Sequence, residues 1–391
     1  MIITSMLDND FYKYTMQQGA LKLFPNAEVQ YTFDCRDDSV VWTEGMVYSI
    51  GNEIENLNGL RITLREREFL TSIGYFSDSY IKWLSSYAYD TVRDNINIGL
   101  DNGKLSIDFS GTWLNTILYE VPILAIVNQV YNQENCKQYI IPLEKDKTVI
   151  EKVSILKEEG FPFADFGTRR RYSKSHQEAI ICGLSNLPNF VGTSNMNLAH
   201  NYSLKPIGTM AHEWIMAGGG MDNVSLRKSQ AHMLQKWCDV YRGDLGIALS
   251  DTYGTKSFLK DFDLYFAKLY DGVRHDSGDP LVWGEEMIEH FEKLGIDPAT
   301  KTLVFSDGLK VGKSTTHIYN AFKDRIGVSM GIGTHLTNDF PGNKTHKALP
   351  IVIKMTKYNG NYVGKLSNNS DKGSFSDMWS RVHAERIFVG G

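Results

Sequence analysis

The spacing of apolar positions divides the chain into two regions of different character. Residues from about 8 to 23 predict a helix that starts near an aspartate cap and carries Phe11, Tyr14 and Leu21 among polar positions. The stretch "AEVQYTFDCR" then alternates as a strand does. Up to about residue 120, strand patterns such as "KLSIDFSGTW" mix with helical ones such as "LREREFLTSI" and "FSDSYIKWLSSY", without regular strand–helix alternation. That mixture predicts an α+β accessory domain over residues 1–120, with the final segment from about 345 to 391 grouped with it.

Between residues 121 and 344 the pattern changes to short apolar runs, each ending in a loop of glycine, aspartate or threonine that leads toward a helix. Met287, Ile288, Phe291 and Leu294 share one face of a helix expected from Trp283 to Leu294. Fully apolar strands covered by such helices imply a parallel sheet. In a barrel of this kind the loops after the strand C-termini converge on one mouth. The rule gathers "FGTRR", "GTSN", "GTMAHE", "SDTYGT", "RHDSGD", "FSDGL" and "GIGTHL" at one end, more polar exits than an open sheet would bring together.

Composition narrows the function classes. A net charge of -5 offers no basic field for nucleic acid or an acidic membrane surface, so an anionic substrate needs a locally basic site. The densest positive cluster is "FGTRRRYSKSHQ", with Arg169, Arg170, Arg171 and Lys174; it reads either as that site or as a solvated face. Cys35, Cys136, Cys182 and Cys238 lie far apart, which predicts reduced, mostly buried thiols rather than a zinc knuckle or a disulfide framework. The start lacks a signal-peptide layout, and no apolar run reaches the length of a membrane span, so a cytoplasmic protein is expected.

Several motifs bear on chemistry. "GLKVGKST" places three residues between Gly308 and Gly312 where a P-loop has four. "GIGTHL" lacks the third glycine of a dinucleotide fingerprint, yet Gly331, Gly333 and Thr334 suit a phosphate cradle. Asp276, Asp279 and Asp307, near Arg274, Lys310 and these loops, suit a magnesium-bound polyphosphate, or each could cap a loop or helix. In "GTMAHEWIMAGGG", His212 and Glu213 begin H-E-x-x-H, but the second zinc ligand is replaced by Met216. His212 is then either a structural histidine or a nucleophile for a γ-phosphate, with Asp251 a candidate acceptor that fixes its tautomer.

Taken in order, "DNDFYKYTMQQ", "FGTRRR", "VGTSN", "GTMAHEW", "LSDTYGT", "RHDSGDP", "FSDGL" and "GIGTHLTND" resemble the nicotinate phosphoribosyltransferase family over most of the chain. The resemblance implies an α/β fold, an irregular (β/α) barrel of the type II phosphoribosyltransferase kind with an α+β sandwich domain. It implies a homodimer with shared active sites, Mg²⁺ as cofactor, and ATP as co-substrate beside nicotinate and phosphoribosyl pyrophosphate. By motif, Tyr12 from the partner subunit and Phe166 would stack on the nicotinate ring, Arg274 would clamp its carboxylate, and Thr209 would seat it. Arg169, Asp276, Asp307, Gly333 and Thr334 would hold phosphoribosyl pyrophosphate and magnesium, with Asp276 and Asp307 as metal ligands. His212 would become phosphorylated, oriented by Asp251.

Related enzymes that use nicotinamide carry an aspartate in the loop matching "VGTSN"; here the position is Ser194, which favours the acid because an aspartate would repel its carboxylate. A nicotinamide phosphoribosyltransferase of the same fold is the alternative. The resemblance gives no role to Glu213 or to the triple glycine after it.

Overall fold

The computed structural model describes residues 1–135, 147–340, 347–369 and 372–389. A five-stranded antiparallel sheet is built from β1 (Glu28–Cys35), β2 (Asn97–Asp101), β3 (Lys104–Thr112), β10 (Ile351–Tyr358) and β11 (Asn361–Tyr362), in the order β11-β10-β1-β3-β2. Strict alternation along β1 buries Val29, Tyr31 and Phe33 on one face. Tyr31 faces Phe109 of β3, their rings stacked with centroids 4.7 Å apart, and Met355 of β10. The segment after residue 345 thus supplies the strand that lies beside β1.

The short apolar runs form a parallel sheet of β4 (Phe163–Asp165), β5 (Phe190–Thr193), β6 (Ile247–Leu249), β7 (Gly272–His275), β8 (Thr302–Phe305) and β9 (Gly327–Ile332), ordered β5-β4-β9-β8-β7-β6. Residues 205–209 join its two ends. Thr193 at the end of β5 donates its N–H to Lys205 O (3.3 Å) and accepts from Ile207 N (2.9 Å), while Thr209 Oγ1 donates to Ile247 O of β6 (2.9 Å). The ring is an irregular α/β barrel, closed on one side by an extended segment rather than a full strand. Gly192 makes the closure possible: a Cβ there would lie 2.0 Å from Lys205 O.

The helix expected from 8 to 23 begins at Phe11 and ends at Leu23. Asp10 stands at its N-cap, but its carboxylate caps no N–H. Asp8 instead forms a fully buried pair with Arg171 (2.7 Å), and Lys174 donates to Thr4 Oγ1 (2.6 Å). The arginine run is therefore neither one solvated face nor one site. Phe11 and Tyr14 are buried as expected, but so are Lys13, Thr15, Gln17 and Gln18, because domain and barrel pack on opposite sides of this helix. Gln17 donates to Leu114 O (2.7 Å) and Thr15 Oγ1 to Thr209 O (2.6 Å).

The helix Pro280–Lys293 covers the barrel with Met287, Ile288 and Phe291, Leu294 packing more loosely at its end. Asp279 caps it, accepting from Leu281 N (2.8 Å) and Val282 N (3.1 Å), so this aspartate is spent on the helix start. The thiols differ from expectation: Cys182 is exposed, Cys35 and Cys238 are half-buried, and Cys136 lies outside the described residues. Among the described residues no helix is long and apolar enough to cross a membrane.

Candidate active site

A cavity of about 250 Å³ opens where the C-terminal ends of the barrel strands meet the antiparallel sheet. Phe166 follows β4, Ser194 follows β5, Arg274 lies in β7 and Asp276 follows it, and Asp307 follows β8; all five line it. Tyr12, Arg169 and His212 complete the set of expected residues on its wall. Tyr12 lines the cavity of its own chain. Gly331 makes room for the aromatic wall, since a Cβ on it would sit 2.4 Å from the Phe166 ring.

His212 is the first residue of the helix His212–Gly219, at the end of the closing segment. Its Nδ1 lies 3.0 Å from Thr252 Oγ1, and its Nε2 lies 3.0 Å from both Asp276 Oδ2 and Lys365 Nζ. Asp251 is not hydrogen-bonded to the ring: its Oδ1 stands 3.5 Å from Nε2, and its other oxygen accepts from Ser277 Oγ. Burial, and then the Lys365 cation, lower the His212 pKa against the pull of Asp251 and Asp276, which keeps the imidazole neutral near pH 7. Burial alone would raise the Asp276 carboxyl, but Arg274, His212 and Lys365 outweigh it and hold it well below the usual carboxylate range.

The same cavity also carries a set of cations that was not legible as such in the sequence. Arg36 from the end of β1, Lys354 of β10, Lys365 of β12 (Gly364–Lys365) and Lys372 line the cavity together with Arg170. Lys372 pairs with Asp307. Burial, reinforced by Arg36 and Lys365, lowers Lys354 to about 7, and burial with Arg169 and Arg36 lowers Arg170 to about 10. So many cations facing one space fit a polyanion. Of these, only Arg170 stood in a positive cluster of the sequence; Lys365 and Lys372 lie in the glycine- and asparagine-rich "GKLSNNSDKG".

Besides Asp251, three expected residues lie off the wall. Thr209 closes the barrel through Ile247, as described. Gly333 and Thr334 start the four-residue helix Thr334–Thr337, whose Thr337 Oγ1 donates to Gly167 O (3.0 Å), so this loop braces the Phe166 turn. In "GLKVGKST", Gly312 caps the helix Lys313–Phe322 outside the cavity.

Glu213, left open by the sequence, is buried and accepts from Tyr31 OH (2.6 Å), Trp113 Nε1 (2.6 Å) and Lys13 Nζ. Lys13 also pairs with Glu120 (2.5 Å), and Glu120 with Arg169 (3.4 Å). This chain of charges ties the start of the His212 helix to the cavity arginine. The triple glycine is a packing device. A Cβ would meet Met233 at 2.5 Å from Gly218, the Tyr253 hydroxyl at 2.8 Å from Gly219, and Tyr358 and Val363 at 2.8 Å from Gly220.

A family model described as the nicotinate phosphoribosyltransferase family matches residues 161–390, and one for that family's N-terminal domain matches residues 7–128. The chain is 45% identical to a nicotinate phosphoribosyltransferase of Ectopseudomonas mendocina, covering 99% of this chain and 97% of that protein. It is 43% identical to nicotinate phosphoribosyltransferase 2 of Pseudomonas aeruginosa, over 96% and 94%. Among solved structures, a nicotinate phosphoribosyltransferase of Porphyromonas gingivalis superposes with a TM-score of 0.92 at 32% identity, covering 99% of this chain and 100% of that one. A putative nicotinate phosphoribosyltransferase of Saccharomyces cerevisiae reaches 0.93 at 31%, over 100% and 99%. Since both of its regions are matched and its relatives align from end to end, the chain belongs to the nicotinate phosphoribosyltransferase family of enzymes.

Proposed function

We propose that this protein transfers the phosphoribosyl group of 5-phosphoribosyl 1-pyrophosphate to nicotinate, giving nicotinate mononucleotide and pyrophosphate, with ATP hydrolysis coupled through phosphorylation of His212. The observation that carries the reading is one cavity that brings His212, whose charged form burial and Lys365 disfavour, together with an aromatic pair, an arginine and a bank of cations. Tyr12 and Phe166 stack on the pyridine ring, and Arg274 clamps its carboxylate with Ser194 nearby. The pyridine nitrogen attacks C1 of the ribose as pyrophosphate leaves, and the protein contributes chiefly position and charge. Arg169 and the cations beside it in the cavity hold the phosphates.

Asp276 and Asp307 would hold Mg²⁺. The donors suit a hard cation: Asp276 stays ionised, and Asp251, 1% exposed, has an Oδ1 with no hydrogen-bond partner among the described residues. When bound, the ion offsets charge on the pyrophosphate. The uncharged His212 ring, positioned by Thr252, Asp276 and Lys365 with Asp251 beside them, takes the terminal phosphoryl group of ATP as ADP leaves, and water later releases it as phosphate. The enzyme is read as a cytoplasmic homodimer that serves NAD synthesis.

The test is product formation from nicotinate and phosphoribosyl pyrophosphate with and without ATP, for the natural chain and for His212→Asn. The natural chain should be stimulated by ATP and take up γ-phosphate label. His212→Asn should keep only slow, unstimulated transfer; label retained on that variant would remove the phosphohistidine. Replacing nicotinate by nicotinamide distinguishes the alternative base.

A further inference from the structure

Ser194 and Asp10 form a buried polar pair where the barrel rim meets the N-terminal helix. The Ser194 N–H donates to Asp165 O (2.8 Å), and its carbonyl accepts from Phe11 N (2.7 Å), which laces the start of that helix to the end of β5. Ser194 Oγ lies 2.7 Å from Asp10 Oδ1. Asp10 is 2% exposed and Ser194 3%, yet both face the cavity that Tyr12 and Phe166 line. The charged and titratable groups around Asp10 are Arg169, Glu120, Asp165 and Tyr12. Among the described residues none forms an ion pair with it; Arg169 pairs with Glu120 instead. A buried carboxylate without an ion-pair partner, and without a helix N–H to cap, is costly to keep ionised.

The protonation state of Asp10 decides what Ser194 shows to the cavity. When Asp10 is ionised, it takes the serine hydroxyl hydrogen, and Ser194 Oγ presents only lone pairs, which accept from an amide NH₂ and repel a carboxylate. When Asp10 is protonated, its own O–H donates to Ser194 Oγ, and the serine hydrogen turns toward the cavity, where a carboxylate oxygen can accept it. Serine at this position therefore favours the acid only if its buried neighbour carries a proton.

We infer that Asp10 and Ser194 act together as a proton-controlled specificity element, which admits the nicotinate carboxylate with Asp10 protonated and turns toward the amide when Asp10 is ionised. The proton comes from solvent on binding. Burial pushes the Asp10 carboxyl up, while the hydrogen bonds of Ser194 and Thr168 and the charge of Arg169 oppose it, and burial outweighs them. The inference rests on the nicotinate reading above.

Calorimetric titration of nicotinate into the full chain, in buffers of different ionisation enthalpy between about pH 6 and 9, tests it. Binding should take up about one proton per nicotinate on the alkaline side, with affinity falling up to about tenfold per pH unit there. Asp10→Asn should abolish both the uptake and the pH dependence, and nicotinamide should bind the natural chain without uptake. Nicotinate binding without uptake, or equal uptake in Asp10→Asn, would overturn the inference and leave the nicotinate reading intact. No binding of nicotinate to the natural chain would remove that reading and the inference with it.

Discussion

The ammonium of Lys365 lies 3.0 Å from Nε2 of His212, the same nitrogen that faces Asp276 at 3.0 Å. The lysine is one cause of the lowered histidine pKa, second to burial. Lys365→Met should raise that pKa, so the neutral fraction at pH 7 falls and the rise of ATP-stimulated activity with pH moves to the alkaline side. A loss of about tenfold or more in ATP stimulation is expected, because a cation beside the acceptor nitrogen also offsets incoming phosphate charge. The measurement is product formation against pH with and without ATP, and superimposable profiles would contradict it.

Arg274 reaches the cavity from the end of β7, donating to Met210 O (3.3 Å) and Asp276 Oδ1 (3.3 Å). In the proposed role of carboxylate clamp it would contribute about 1.5–3 kcal/mol. Arg274→Ala should therefore raise KM for nicotinate roughly ten- to a hundredfold. Steady-state kinetics with nicotinate varied would expose an unaltered value, which would take Arg274 out of the base site.

Lys354, lowered to about 7 by burial and its cationic neighbours, loses its charge as pH rises through that value. A bound polyanion favours the charged form, so phosphoribosyl pyrophosphate should bind more weakly above about pH 7 than below it. Lys354→Met should flatten that dependence while weakening binding at low pH. Affinity measured against pH for both proteins checks the sign; the same slope in the variant would assign the dependence to another group.

Lys13 is 0% exposed between Glu120 and Glu213. Burial would raise the Glu120 carboxyl, but Lys13 and Arg169 outweigh it and hold it below its usual value. Its stabilising effect is thus complete above about pH 4.5 and lost as pH falls through the lower folded value. Lys13→Met leaves two carboxylates facing each other and should cost about 3–5 kcal/mol near neutral pH. That variant should also become less stable as pH rises, because its carboxylates then prefer to be protonated when folded. Urea unfolding at several pH values would reveal a parallel course for both proteins if the pair were unimportant.

Gly220 packs against Tyr358 and Val363, and Gly220→Val should destabilise by about 1–3 kcal/mol through overpacking. The gap it closes lies between the His212 helix and β10. Thermal unfolding of this variant should fall below that of the natural chain, and an equal midpoint would mean that the two elements separate at no cost.

The barrel exits were readable because an active loop needs glycine, aspartate and threonine just after an apolar strand, and that pattern is local. What was not readable depends on distant partners. In "TRRR" the three arginines look alike, yet a single short 3₁₀ turn sends Arg169 and Arg170 to the cavity and Arg171 to Asp8. Aspartates 8 and 10 read as helix-start residues, but arginine and serine from the barrel claim their carboxylates. Lys354 and Lys365 carry no local signal, since they gain their meaning only when β10 lies beside β1. The triple glycine has no role in the sequence reading, and is a place where helix, strand and tyrosine come too close for a side chain.

The pairing of β1 with β10 also sets a schedule for the growing polypeptide. All six parallel strands of the barrel end by Ile332, so the ring with His212, Arg274, Asp276 and Asp307 can assemble while the rest is still being made. The antiparallel sheet then waits with β1 unpaired on one edge. Only when residues from Ile351 onward emerge does that edge close, and the same event delivers Lys354, Lys365 and Lys372 to the cavity. A chain without this last segment would leave β1 unpaired on one edge and lack three lysines of the cavity.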